Sequence, residues 1–187
     1  MRSVGSGSLL VPLLVPLLVP LLLATACSAL DDFETQIQDE ATIPGTFNMA
    51  TPVPLPFSGS FTSFTLNSDR EFANRGVGPD DVDAIFVKSV HVESTEPMRD
   101  RLDVLVDEMT LSVSAPGLEQ KVLATKTDFP MGPAVDLDVV PNFNLKPYAV
   151  ATSMSVSATV KLKQAPLFTT TLRTIVTLAI DVNLLGV

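Results

Sequence analysis

The chain has 187 residues, with 12 basic and 21 acidic side chains, a formal net charge of −9, one cysteine, one histidine, one tyrosine and no tryptophan. That balance excludes a nucleic-acid binder, because phosphates demand clustered Lys and Arg, and it excludes a basic patch that grips anionic lipid headgroups. A lone cysteine offers no internal disulfide, so an apolar core must hold the fold.

Residues 1–26 read as an export signal. Arg2 supplies the positive start, Leu9 to Leu23 is free of polar side chains, and small residues follow. The apolar run is shorter than the ~20 residues a membrane-spanning helix needs. It repeats "VPLL" three times, placing Pro12, Pro16 and Pro20 at four-residue spacing. Each interior proline costs a helix about 3 kcal/mol, which makes this a poor permanent anchor.

The stretch Ala24-Thr25-Ala26-Cys27 resembles the lipobox of bacterial lipoproteins. The resemblance covers residues 1 to 27 and implies that Cys27 is diacylated, exposed by cleavage and acylated again. One position departs from the pattern: Ala24 stands where leucine is usual, and Leu23 lies one place too early. The bland alternative for Cys27 is a leftover thiol beside an ordinary signal cut. Ser28 follows the cysteine where aspartate marks inner-membrane retention in enterobacterial lipoproteins, so the resemblance implies the outer membrane. Two or more acyl chains anchor stably where one does not. Residues 27–32 then form a lipidated tether. Its Ser28 to Asp32 segment, at a maximum of about 3.5 Å per residue, reaches under ~20 Å. Without Arg2 the remainder has eleven basic against 21 acidic side chains, a net of −10.

Residues 33–187 read as one β-rich domain. Phe33, Ile37, Ala41 and Ile43 alternate with Glu34, Gln36, Gln38 and Glu40, up to Pro44-Gly45. Period-two alternation of this kind marks a half-buried strand. Thr51 to Gly59 contains Pro52, Pro54 and Pro56, which predicts a loop and forbids a central strand. Phe61 to Leu66 and Ala84 to Val92 are β-branched or aromatic runs. "SDREFANRGVG" predicts a short helix capped by Ser68 and stopped at Gly76 or Gly78, and "PMRDRLDVLVDE" contains a turn of helix.

Met109, Leu111 and Val113 alternate with Thr110, Ser112 and Ser114, and "APGLEQ" turns into a strand from Lys121 to Thr127. Val135, Leu137 and Val139 alternate with Asp136 and Asp138. The longest signals come last. Val150, Thr152, Met154, Val156, Ala158, Val160 and Leu162 form one face of a predicted strand Val150 to Leu162. After "QAP", Phe168, Leu172, Val176, Leu178, Ile180, Val182 and Leu184 form the face of another. Thr171, Arg173, Thr177, Asp181 and Asn183 fall opposite. The short connection predicts a β-hairpin. One-sided strands separated by Pro and Gly turns predict an antiparallel β-sandwich of about seven or eight strands with one or two short helices. This strand pattern is loosely similar to the immunoglobulin-like domains related to late-embryogenesis-abundant type 2 proteins, at the level of fold alone.

Candidate chemistry is sparse. Nucleophilic catalysis needs a base held against Ser or Cys. His91 lies in a β-rich run, where a sheet-face role outweighs a catalytic one, and no G-x-S-x-G elbow occurs. One histidine and one lipidated cysteine do not make a zinc site. Asp80, Asp81 and Asp83 in "GPDDVDA", and Asp136 and Asp138 placed on one strand face by "VDLDV", are weak calcium candidates. The competing role for the first group is a helix cap. Paired carboxylates also cleave glycosides, but aromatic sugar subsites are missing.

The expectation is therefore a non-enzymatic envelope lipoprotein needing no cofactor, held to the membrane through its N-terminal lipid, with a β-sandwich that binds an envelope protein partner. A carrier of lipid or another apolar ligand is the alternative, followed by a calcium-dependent adhesion module or a hydrolase.

Overall fold

The last strand shows how the domain is assembled. β9, Thr170–Val182, turns Leu172, Thr174, Val176, Leu178, Ile180 and Val182 inward. It lies between β1, Asp32–Ile43, and β3, Val82–Ser94, antiparallel to both. β1 alternates exposed and buried residues without a break, and its register with β9 runs from Asp32 opposite Asp181 to Ile43 opposite Thr170. β6, Ala134–Asp136, completes a sheet of order β1-β9-β3-β6. The computed structural model describes residues 32–45, 53–55, 57, 61, 70–95, 101–166 and 168–182. All of them fall in a unit spanning Asp32–Val187.

The second sheet has the order β2-β8-β4-β5-β7, formed by β2 Val53–Leu55, β4 Val106–Ala115, β5 Leu118–Lys126, β7 Asp138–Val139 and β8 Ser155–Leu162. Met109, Leu111 and Val113 of β4, with Val156, Ala158, Val160 and Leu162 of β8, join the inward residues of the first sheet in one buried cluster. Each fully buried aliphatic or aromatic side chain contributes about 1.5–3 kcal/mol, so the two sheets hold one another. The fold is the expected antiparallel β-sandwich. The described residues form nine strands rather than seven or eight, because β2, β6 and β7 are only two or three residues long.

Both expected helices are present as α1, Arg70–Arg75, and α2, Leu102–Leu105. Gly76, at φ +67°, ends α1 in a left-handed conformation that glycine adopts freely. A third helix, α3 Lys146–Ala149, was not expected. It displaces the start of the following strand: Val150 is exposed, and β8 begins at Ser155 rather than Val150. Pro147 sits in the first turn of α3, where its missing N–H costs nothing. Tyr148 is buried behind it and donates to the Glu119 carbonyl at 2.6 Å.

Four further expectations change. β8 and β9 form no hairpin: β8 pairs with β2 and β4, while both edges of β9 are taken by β1 and β3. The connection between them crosses from one sheet to the other, and Phe168 within it is exposed rather than in the core. "VDLDV" is likewise two strands, since β6 belongs to the first sheet and β7 to the second. The chain changes sheets at buried Leu137, whose N–H donates to the Val90 carbonyl at 2.8 Å. The proline-rich loop contributes β2, with Pro54 opposite Thr159, at the sheet edge where a missing donor is tolerated. In the β4–β5 connection, Gly117 has φ +80° after Pro116, the residue pair of a type II turn, so β5 starts at Leu118 rather than Lys121. Of Phe61 to Leu66 only Phe61, a buried turn residue, is among the described residues. Ser68, Asn183 and Leu184 lie outside them.

Two polar residues, Thr35 and Asp39, face inward on β1. Asp39 is 8% exposed, and its carboxylate accepts the Glu40 N–H at 2.8 Å and the Phe61 N–H at 3.1 Å. It thereby ties the chain around Phe61 to the sheet. Burying a carboxylate is tolerated when donors of this kind reach it.

Adjacent residues of β9 test this register. Leu178→Asp puts an unpaired charge among Thr35, Val87 and the core, a change expected to cost several kcal/mol and to abolish cooperative unfolding. Thr177 faces outward but is only 9% exposed, because Gln36 Nε2 donates to its hydroxyl at 3.3 Å. Thr177→Val keeps the branched shape and is expected to cost about 1 kcal/mol or less. Thermal unfolding followed by circular dichroism separates the two; equal damage would place β9 in another register.

Candidate functional site

The residue that the sequence singles out most strongly, Cys27, lies outside the described residues; four residues separate it from Asp32, where β1 begins. The calcium candidates are described, and three of them, Asp81, Asp136 and Asp138, have other partners. Asp80 and Asp81 belong to a 3-10 turn, Pro79–Asp81, whose Asp81 carboxylate accepts the Gly78 N–H at 2.8 Å. Asp83 is exposed near the start of β3. Asp136 approaches His91 Nδ1 at 2.7 Å, and Asp138 pairs with Lys126 at 3.0 Å. Among the described residues no three His, Cys, Asp or Glu side chains are arranged to hold a metal ion.

His91 stands on the outer face of the first sheet, in a row with Ile175 of β9 and Asp136 of β6. Its imidazole meets a carboxylate, the orienting half of a catalytic arrangement. The next row holds Glu40, Arg173 and Glu93, neighbours across β1, β9 and β3. Arg173 reaches Glu40 at 3.0 Å and Glu93 at 3.1 Å. Its guanidinium pKa is raised above the ordinary value, chiefly by the hydrogen bond to Glu40. These contacts are set by cross-strand register, which a single strand's pattern does not reveal.

Towards the Asp32 end the same face changes character. Asp32, Phe33, Glu34, Phe86, Ala179, Ile180 and Asp181 line an open depression of about 380 Å³. Phe86, Ala179 and Glu34 share one row, and Asp32 stands directly opposite Asp181 in the next. Like charges directly opposite on antiparallel strands are destabilising. Two cations are close: Lys88 pairs with Glu34, and the Arg75 guanidinium lies 4.5 Å from the Phe33 ring centroid. Phe33 is packed edge-on against Phe72 at 5.2 Å, which steadies the wall of the depression. Sequence reading missed this feature because its parts lie on three strands. The one local cue is Asp181, an acid on the outward face of β9.

At the opposite end α2 is laced to two connections. Leu102 N–H donates to the Gly132 carbonyl at 2.8 Å, and Lys163 N–H to the Leu105 carbonyl at 2.9 Å. Asp103 accepts from Arg101 at 2.6 Å and from the Gly132 N–H at 3.3 Å. The Arg101 guanidinium holds the Asp103 carboxyl below the usual carboxylate range, with the Gly132 N–H adding to it and desolvation opposing it. Asp107 beside Lys161 and Glu119 beside Lys121 are lowered for the same reason.

A depressed carboxylate stabilises the fold above its unfolded pKa and loses that contribution as pH falls through the folded value. Asp103→Asn is therefore expected to melt at a lower temperature than wild type at neutral pH. The gap should begin to narrow below about pH 4, where the unfolded carboxyl takes up its proton, and close as pH falls on through the depressed folded value. Melting curves from neutral pH down to about pH 2 check this; a gap that stays constant throughout would show that Asp103 acts by packing alone.

Neither a family model nor a curated protein sequence matches this chain.

Proposed function

We propose that this chain is an envelope lipoprotein, anchored in the outer membrane through acylated Cys27 and displaying a non-catalytic β-sandwich that binds another envelope component. The observation that carries the reading is the position of Cys27. It is the chain's one thiol, it follows a proline-interrupted apolar stretch, and four residues separate it from β1. β1 is paired from its first residue, which leaves a tether too short for the domain to range far from its anchor.

One buried cluster that includes Phe61, Ile85, Leu111 and Leu172 joins the described strands of both sheets, and a shared close-packed core of this kind favours a binding module over a carrier. The depressions at Asp32–Phe86 and at Gln38–Arg173 are on the surface and open to solvent. His91 adds little to a catalytic reading, because its described partner is a carboxylate and not a nucleophile.

The anchor is tested on the mature N-terminus. Wild-type chain should partition into membranes, incorporate a fatty-acid analogue, and yield by mass spectrometry an N-terminal Cys27 carrying acyl groups. Cys27→Ala should abolish the label while leaving the β-type circular dichroism spectrum unchanged. A mature terminus elsewhere, or a free thiol at Cys27, refutes the anchor.

A further inference from the structure

We infer that the domain carries a built-in water-binding site in its core, between the Thr174 hydroxyl and the Asp39 carboxylate. Thr174 lies on β9, faces inward and is completely buried. Its hydroxyl has no hydrogen-bond partner among the described residues. A buried hydroxyl in that state has lost its hydration and gained nothing in return. Across the first sheet its row consists of Asp39 on β1, Val92 on β3 and Val135 on β6. The two valines offer no side-chain polar atom, so Asp39 is the side chain of that row able to answer the hydroxyl. The two residues stand directly opposite one another and both face inward.

Opposed side chains on antiparallel strands hold their Cβ atoms about 5 Å apart, and Thr174 makes no direct bond across that gap. One water spans it with two hydrogen bonds of about 2.8 Å each. A carboxylate accepts about four hydrogen bonds. The Glu40 and Phe61 N–H groups engage one Asp39 oxygen each, and the water adds to these bonds without displacing them. The site also has a way in. Asp39 lines an open depression of about 310 Å³ with Gln38, Glu40 and Arg173, beside the edge strand of the sheet. Solvent reaches the carboxylate there, and Thr174 is one strand further in. A calcium ion suits the place less, since it takes roughly six to eight oxygens and the row holds a single carboxylate. With the water in place, one polar chain runs from β9 through Asp39 to Phe61, whose carbonyl accepts the Val156 N–H of β8 at 2.6 Å. It links the two sheets.

The test combines crystals of the full-length chain in detergent with thermal unfolding of wild type and Thr174→Val. Wild-type density should show one water within about 3 Å of both Thr174 Oγ1 and an Asp39 carboxylate oxygen. Thr174→Ser, which keeps the hydroxyl, should retain that water, and Thr174→Val should lack it. Thr174→Val preserves the branched shape and removes the hydroxyl, so its Tm should fall by about 2–4 °C, because the carboxylate loses a bridged bond. An orphaned hydroxyl predicts the reverse, since valine then removes a polar group that nothing satisfied. A dry site, a Thr174 hydroxyl bonded directly to a protein group, or a Tm of Thr174→Val at or above that of wild type overturns the inference. None of these outcomes depends on whether Cys27 is acylated.

Discussion

The fold depends on the burial of one face of β9 with a partner on each side. Leu172, Val176, Leu178, Ile180 and Val182 are covered by the second sheet, while β1 and β3 take up both rows of β9 backbone groups. No other described strand joins segments so far apart in sequence, since Asp32 is matched with Asp181. The first sheet is therefore incomplete until the end of the chain is in place. Non-local pairing of this kind pays its loop-closure entropy before contacts return it.

The surface chemistry follows from the same register. Side chains alternate with a period of two, so the inward position of Leu178 and Ile180 forces Thr177, Ala179 and Asp181 outward. Arg173 is thereby set between Glu40 and Glu93, Ile175 beside His91, and Asp181 against Asp32. A slip by one residue would drive Arg173 into the core and expose the apolar set. The polar face need not specify its own pairings, because the buried face specifies them. Selection on the outer residues is then free to answer to binding and solubility.

The alternation made β1, β4, β8 and β9 legible in the sequence, along with the glycine stop of α1. It did not say which sheet a strand would join. Both runs flanking "QAP" have one apolar face, and that pattern is satisfied equally by neighbours in a hairpin and by strands on opposite sheets. "VDLDV" shows the same ambiguity at smaller scale: alternation persists through Leu137 although the backbone leaves one sheet for the other there. Thr177 was legible as outward-facing, yet its cover by Gln36 depends on a residue 141 positions away. The candidate site divides in the same manner. Cys27 is read from a local motif, whereas the depression at Phe86 exists only after β1, β9 and β3 are aligned.

The acids around that depression do not all have the same explanation. Asp32 and Glu34 belong to β1, the edge strand of its sheet, where charge discourages pairing with another chain's strand. Edge protection would account for both without any ligand. It does not reach Asp181, which lies on β9 with a strand on either side. Asp181 stands opposite Asp32 across the β1–β9 ladder, on a central strand whose outward residues are set by the buried face. Its outward position follows from the inward register of Ile180 and Val182, so the pairing with Asp32 comes from the buried face rather than from any preference of the two acids.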